Sequence, residues 1–241
     1  MLHPKHPKSG PPQGRANPRI SINKLGEYLT AKPARRKSII KDQKYPPEVF
    51  ITGKYNDAFD SIVHFFTLGA LQAEVLHRAI GRLSVKPTAN DPQAADLKNN
   101  ILALQHLIKT AGTLPFTGLT FRAAKQQGAL LSIGKVVVSV RPELEIVAPQ
   151  RGGGTKYGLL KLYLGKTHPL NEESGHLIAT TVHQFAEKHF GSPEAVDRKR
   201  CYVLDVFQGE LFTAPPNYTK RRSDIEAACE EIAARWPTIT L

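Results

Sequence analysis

Three side chains in the second half of the chain have types and spacing suited to chemistry: Glu143, Glu145 and Lys161. From Lys135 to Val147 the residues alternate with a period of two. That places Val136, Val138, Val140, Leu144 and Ile146 on one face of a strand and Val137, Ser139, Arg141, Glu143 and Glu145 on the other. Tyr157 to Gly165 repeats the scheme, with Leu160, Leu162 and Leu164 on one side and Leu159, Lys161 and Tyr163 on the other. If the two strands pair through the loop Pro149 to Lys156, Lys161 falls across from Glu143 or Glu145. The simplest outcome is a cross-strand ion pair, which stabilises a sheet by roughly 0.2–1 kcal/mol and requires no reaction.

Other spacings lead less far. Gly165-Lys166-Thr167 matches the end of a phosphate-binding P-loop, but Leu160 stands where the first glycine belongs and Pro169 blocks the helix that must follow. His176, His183 and Glu187 recur at seven and four residues along one helical face. No fourth ligand of suitable spacing accompanies them, so a solvated face is expected rather than zinc. Gly152 to Gly154, between Arg151 and Lys156, form a basic hairpin loop that either touches phosphate or simply turns the chain.

Charge narrows the possible partners. The 241 residues carry a formal net charge of +12, and eleven Lys/Arg against two Asp/Glu lie in residues 1 to 47, so +9 of the +12 is there. A basic end on a nearly balanced body suits a polyanion, nucleic acid above all, because phosphate neutralisation supplies most non-specific affinity. A second helix beginning at Pro33 presents Lys37, Lys41 and Lys44 as a stripe beside Arg35 and Arg36. Together with Arg151 and Lys156 these are the candidate nucleic-acid contacts. Cys201 and Cys229 make neither a disulfide framework nor a cysteine zinc site. The charged, proline-rich start and the lack of any run near the roughly 18 apolar residues of a membrane helix predict a cytoplasmic protein without membrane contact.

The elements that must position these residues follow from periodicity. Residues 1–19 hold five prolines and no acid and are expected to be a disordered basic arm. Residues 20–112 read as helical: Ser21 caps a short helix to about Thr30, the Pro33 helix follows, then Phe59 to Phe66, Leu71 to Leu83, and a helix opened by Asp91-Pro92 running to about Ala111. From residue 113 to 241 the period turns to two. Strands over Thr117 to Ala123, Val136 to Val147 and Tyr157 to Leu164 precede a helix over Ser174 to Phe190, a strand over Cys201 to Phe207 and a helix capped by Ser223. The class is α+β, a helical N-terminal half followed by one mixed sheet with flanking helices.

The order helix (91–111), three strands, helix (174–190), strand (201–207) resembles the core of the PD-(D/E)XK nuclease superfamily, a restriction-endonuclease-like α-β-β-β-α-β arrangement. Pro142-Glu143 on the second strand and Lys161 in Leu159-Leu160-Lys161 on the third are similar to its motif. The resemblance implies Mg²⁺ held by Glu143, an attacking water positioned by Lys161, and an accessory role for Gln184 on the following helix. Leu159 stands where the family has a second acid, and Glu145 is the available substitute. Two functions follow from the resemblance: a Mg²⁺-dependent phosphodiesterase, or a non-catalytic nucleic-acid-binding or scaffolding subunit of a larger complex with a degenerate site. A protein-binding adaptor with a basic tail is the third possibility.

Overall fold

The computed structural model describes residues 14–46, 55–70, 72–125, 128–150 and 153–241. It is an α+β fold with two mixed sheets. In chain order the elements are β1 (Arg19–Ser21), α1 (Ile22–Thr30), α2 (Pro33–Lys44), α3 (Asn56–Thr67), α4 (Glu74–Ser84), α5 (Asp91–Thr110), β2 (Thr120–Ala123), β3 (Leu130–Ile133), β4 (Val136–Ser139), β5 (Leu144–Pro149), β6 (Thr155–Tyr163), α6 (Glu172–His189), β7 (Val196–Asp205), β8 (Glu210–Thr213) and α7 (Tyr218–Arg235). Several boundaries have visible causes. Ser21 accepts the Lys24 amide at the start of α1. Asn90 caps α5 ahead of Pro92. Asn171 and Ser174 close a capping box at the start of α6. The last helix begins five residues before Ser223, immediately after Pro215-Pro216, so Ser223 lies inside it.

The larger sheet runs β2-β5-β6-β7-β8. Strands β2, β5 and β6 form an antiparallel meander, β7 is parallel to β6, and β8 returns antiparallel. One face carries Phe121, Leu144, Ile146, Leu160, Leu162 and Leu204 against α3, α4 and α5. The other carries Leu159, Tyr163, Cys201, Val203 and Phe212 against α6, in a core shared with α1, α2, α7 and the smaller sheet. At about 25 cal/mol per Å² of apolar surface removed from water, these two cores are the main stabilising term.

The expected single strand Val136 to Val147 is two strands in two sheets. Arg141 takes a positive φ of 44° and Pro142 follows it, so the chain turns out of β4 before β5 begins. Strand β4 pairs instead with β3 antiparallel and β1 parallel. The expected sheet therefore exists for β5, β6 and β7, with α6 packed on it, and does not include Val136 to Ser139.

Part of the expected disordered arm is also fixed. The Arg15 amide donates to the Lys44 carbonyl at 2.9 Å, the Trp236 indole donates to the Arg15 carbonyl at 2.9 Å, and the Val137 amide donates to the Pro18 carbonyl at 3.0 Å. Strand pairing and these bonds supply the partners that composition alone did not suggest for residues 14–19. Residues 1–13 lie outside the described residues. No described helix is long and apolar enough to cross a membrane.

Candidate functional site

Glu143 and Lys161 meet at the end of the β2-β5-β6 meander. The β5–β6 register pairs Glu145 with Leu159, which sets Glu143 opposite Lys161, and the Glu143 amide donates to the Leu160 carbonyl at 3.0 Å. The Lys161 Nζ lies 2.5 Å from Glu143 Oε1 and also donates to the Arg141 carbonyl at 3.1 Å. The second carboxylate oxygen, Oε2, accepts the Leu162 amide at 2.6 Å. The Phe59 ring centroid sits 5.8 Å from Nζ, within cation–π range. Glu143 and Lys161 are only 9% and 6% exposed, so the pair is nearly sealed from water. Burial pushes the Glu143 carboxyl up, against the pull of the Lys161 ammonium and the Leu162 amide. Chemically this is a closed unit: both acceptor oxygens and the ammonium are engaged within the protein.

The other two expected members stand apart from it. Glu145 Oε1 is 2.9 Å from His189 Nε2, near the end of α6, where the imidazole stacks on Phe185. Gln184 is half-buried on α6, and its side chain makes no hydrogen bond with another described residue. Leu159, directly across from Glu145, is fully buried in the core under α6. Among the described residues no group of three or more His, Cys, Asp or Glu is gathered in a way that holds a metal ion.

The basic stripe is largely consumed by the fold. Arg35 is bound to Glu27 at 2.6 Å. Arg36 pairs with Glu231 at 3.4 Å, donates to the carbonyls of Leu29 and Ala31, and lies over the Tyr28 ring. Lys44 Nζ donates to the carbonyls of Trp236 and Ile239, each at 2.8 Å. Only Lys37 and Lys41 remain exposed on α2. The stripe expected from helical spacing is thus reduced to two lysines, because acids and carbonyls remote in sequence answer the rest. Lys156 Nζ donates to the Glu194 carbonyl, and Arg151 lies outside the described residues.

Sequence reasoning missed a second charged cluster between α6 and α7. Arg222 donates to Glu187 Oε2 at 2.8 Å and to His183 Nδ1 at 3.1 Å, and His183 Nε2 is 3.3 Å from Glu187 Oε1. Because Nδ1 accepts from a guanidinium that is always charged, the network assigns the His183 proton to Nε2. Burial first, then Arg222 and Arg198, push the His183 pKa down to about 4. The spacing of His183 and Glu187 had marked this helix face; the solvated face expected there is instead closed by Arg222. Asp205 is a further buried acid with no expected role: its carboxylate accepts the amides of Leu170, Phe207 and Gln208 and so clamps two loops.

No protein-family model matches the chain, and no curated protein matches it.

Proposed function

We propose that this protein binds nucleic acid on a nuclease-like core that does not cut, serving as a binding or scaffolding subunit of a larger assembly. The observation that carries the reading is the closed Glu143–Lys161 pair. In a working metal site the carboxylate oxygens face a cation and the lysine faces a water; here Oε1 meets Nζ and Oε2 meets a backbone amide. The Mg²⁺ implied by the resemblance does not fit these residues. A hard cation needs several oxygen ligands, whereas Leu159 occupies the second acid position without exposure and Glu145 is held by His189.

The order α5, β2, β5, β6, α6, β7, interrupted by β3 and β4 of the smaller sheet between β2 and β5, has an antiparallel meander and a parallel fourth strand, which supports the nuclease-like part of the reading. The net charge of +12 supports a polyanionic ligand. Fluorescence anisotropy with labelled 20-mer duplex and single-stranded probes, in EDTA, tests the binding half. The expected result is metal-independent binding whose log affinity falls linearly with log salt concentration. No binding to either probe at 50 mM salt would contradict it.

A further inference from the structure

A second group of cations lies away from α2, on β7 and α7. Strand β7 carries Asp197-Arg198-Lys199-Arg200 directly after its first residue, and its register against β6 jumps from Tyr157 opposite Val196 to Leu159 opposite Cys201. Five steps on β7 thus face two on β6, a bulge that throws the basic run out of the ladder. Gly158 permits it, since a Cβ there would collide with the Arg200 carbonyl. Beside this bulge the first turns of α7 carry Lys220, Arg221 and Arg222. The Tyr218 ring joins the two elements, with the Arg222 and Arg198 guanidinium carbons 4.9 and 6.0 Å from its centroid.

Most of this charge has no acid partner among the described residues. Of the six cations, Arg200 is 3.7 Å from Asp197 and Arg222 is 2.8 Å from Glu187, which leaves four without an acid partner. Arg198 donates to the Ala214 carbonyl, which fixes it without neutralising it. Arg221 is half-buried, and its guanidinium makes no hydrogen bond or ion pair with any described residue; its Nε, like that of Arg222, is buried without a partner. Two histidines of α6 lie near these cations: burial first and then Arg221 lower His176, as burial and then Arg222 and Arg198 lower His183.

We propose that the face formed by the start of α7 and the β7 bulge, centred on Arg221 with Lys220 and Arg198, holds the backbone phosphates of the nucleic acid. The proposal rests on the nucleic-acid-binding reading and adds its location. Guanidinium groups suit it because their planar donors match phosphate oxygens bidentately.

The test compares the wild-type chain, a Lys220→Gln/Arg221→Gln variant and a charge-matched Lys98→Gln/Lys109→Gln variant on α5, by anisotropy with a fluorescein-labelled 20-bp duplex across a salt series. The first variant should lose about tenfold in affinity at 100 mM salt and flatten the salt slope by about one per contact removed. The α5 variant should change affinity by less than about threefold, the general effect of net charge alone. Lys220→Gln by itself removes an exposed side chain and guards against a folding defect; it should give a partial loss with an unchanged thermal transition. Unchanged affinity and slope in both Lys220→Gln and the double variant, with wild-type binding intact, would overturn the location and leave the binding function standing. Absence of binding by the wild-type chain would remove both.

Discussion

The Glu143–Lys161 pair and the cluster around Arg222 both bury charge, and they differ in whether it is matched. In the first, one carboxylate meets one ammonium, and the remaining partners are a backbone amide, a backbone carbonyl and the Phe59 ring. In the second, Glu187 answers Arg222 while Arg221 keeps a buried donor without an acceptor. A matched buried pair holds strands together and offers a ligand nothing. An unmatched one keeps part of its electrostatic potential available. The residues whose spacing most suggested chemistry are therefore the ones the fold has used up, and the open charge lies in a run that spacing did not single out.

The largest effect that sharpens this contrast is on stability. Glu143→Ala strands a buried ammonium and should cost about 3–5 kcal/mol by urea denaturation. Replacing both partners with apolar residues, Glu143→Leu with Lys161→Met, should be far milder than either single loss, because no buried charge is left unpaired. If the single and double variants were equally unstable, the pair would not be the closed unit described above.

The cluster around Arg222 makes a pH prediction. With His183 lowered to about 4 in the fold, the unfolded chain takes up a proton near pH 6.5 that the folded chain does not accept until about pH 4. Stability should therefore fall as pH drops from about 6.5 to about 4 and gain nothing from this group above that window. His183→Gln should make the fall shallower when denaturation midpoints at pH 7 and pH 4.5 are compared. An identical fall in the variant would contradict a neutral buried His183.

Smaller effects are expected on α2. Arg36→Ala loses an ion pair, two carbonyl contacts and the Tyr28 ring, and should cost on the order of 1 kcal/mol in stability with little change in affinity. Lys37→Gln with Lys41→Gln removes only exposed charge and should move stability by less than about 0.5 kcal/mol. Its affinity loss should be well below that of the α7 variant. A larger loss from α2 would reverse the ranking of the two regions.

How much of this could be read from the chain depended on the range of the cause. Helices α3 and α5 were legible because Phe59, Ile62, Phe66 and Leu97, Leu104, Ile108 keep helical spacing, and Asp91-Pro92 marks the start of α5. The meeting of Glu143 and Lys161 was legible because two alternating strands joined by a short loop leave few registers. The break between β4 and β5 was signalled by Pro142, but the uninterrupted apolar alternation on either side outweighed it; a turn at Arg141 with positive φ leaves no mark in such a pattern. The loss of the α2 stripe could not be read locally, since Arg36 and Lys44 are answered by Glu231, Trp236 and Ile239 almost two hundred residues away. A shorter separation, 39 residues, likewise hid Arg222 from His183.

The central claim, binding without cleavage, is tested most directly on a single gel. Labelled duplex and single-stranded probes are incubated with the purified chain in Mg²⁺ or Mn²⁺, and each sample is run native for retardation and denaturing for integrity. The account predicts retarded, full-length probe in both metals and in EDTA alike. Metal-dependent cleavage products that disappear in Glu143→Gln and Lys161→Gln would contradict it, and would show that the closed pair opens to do chemistry.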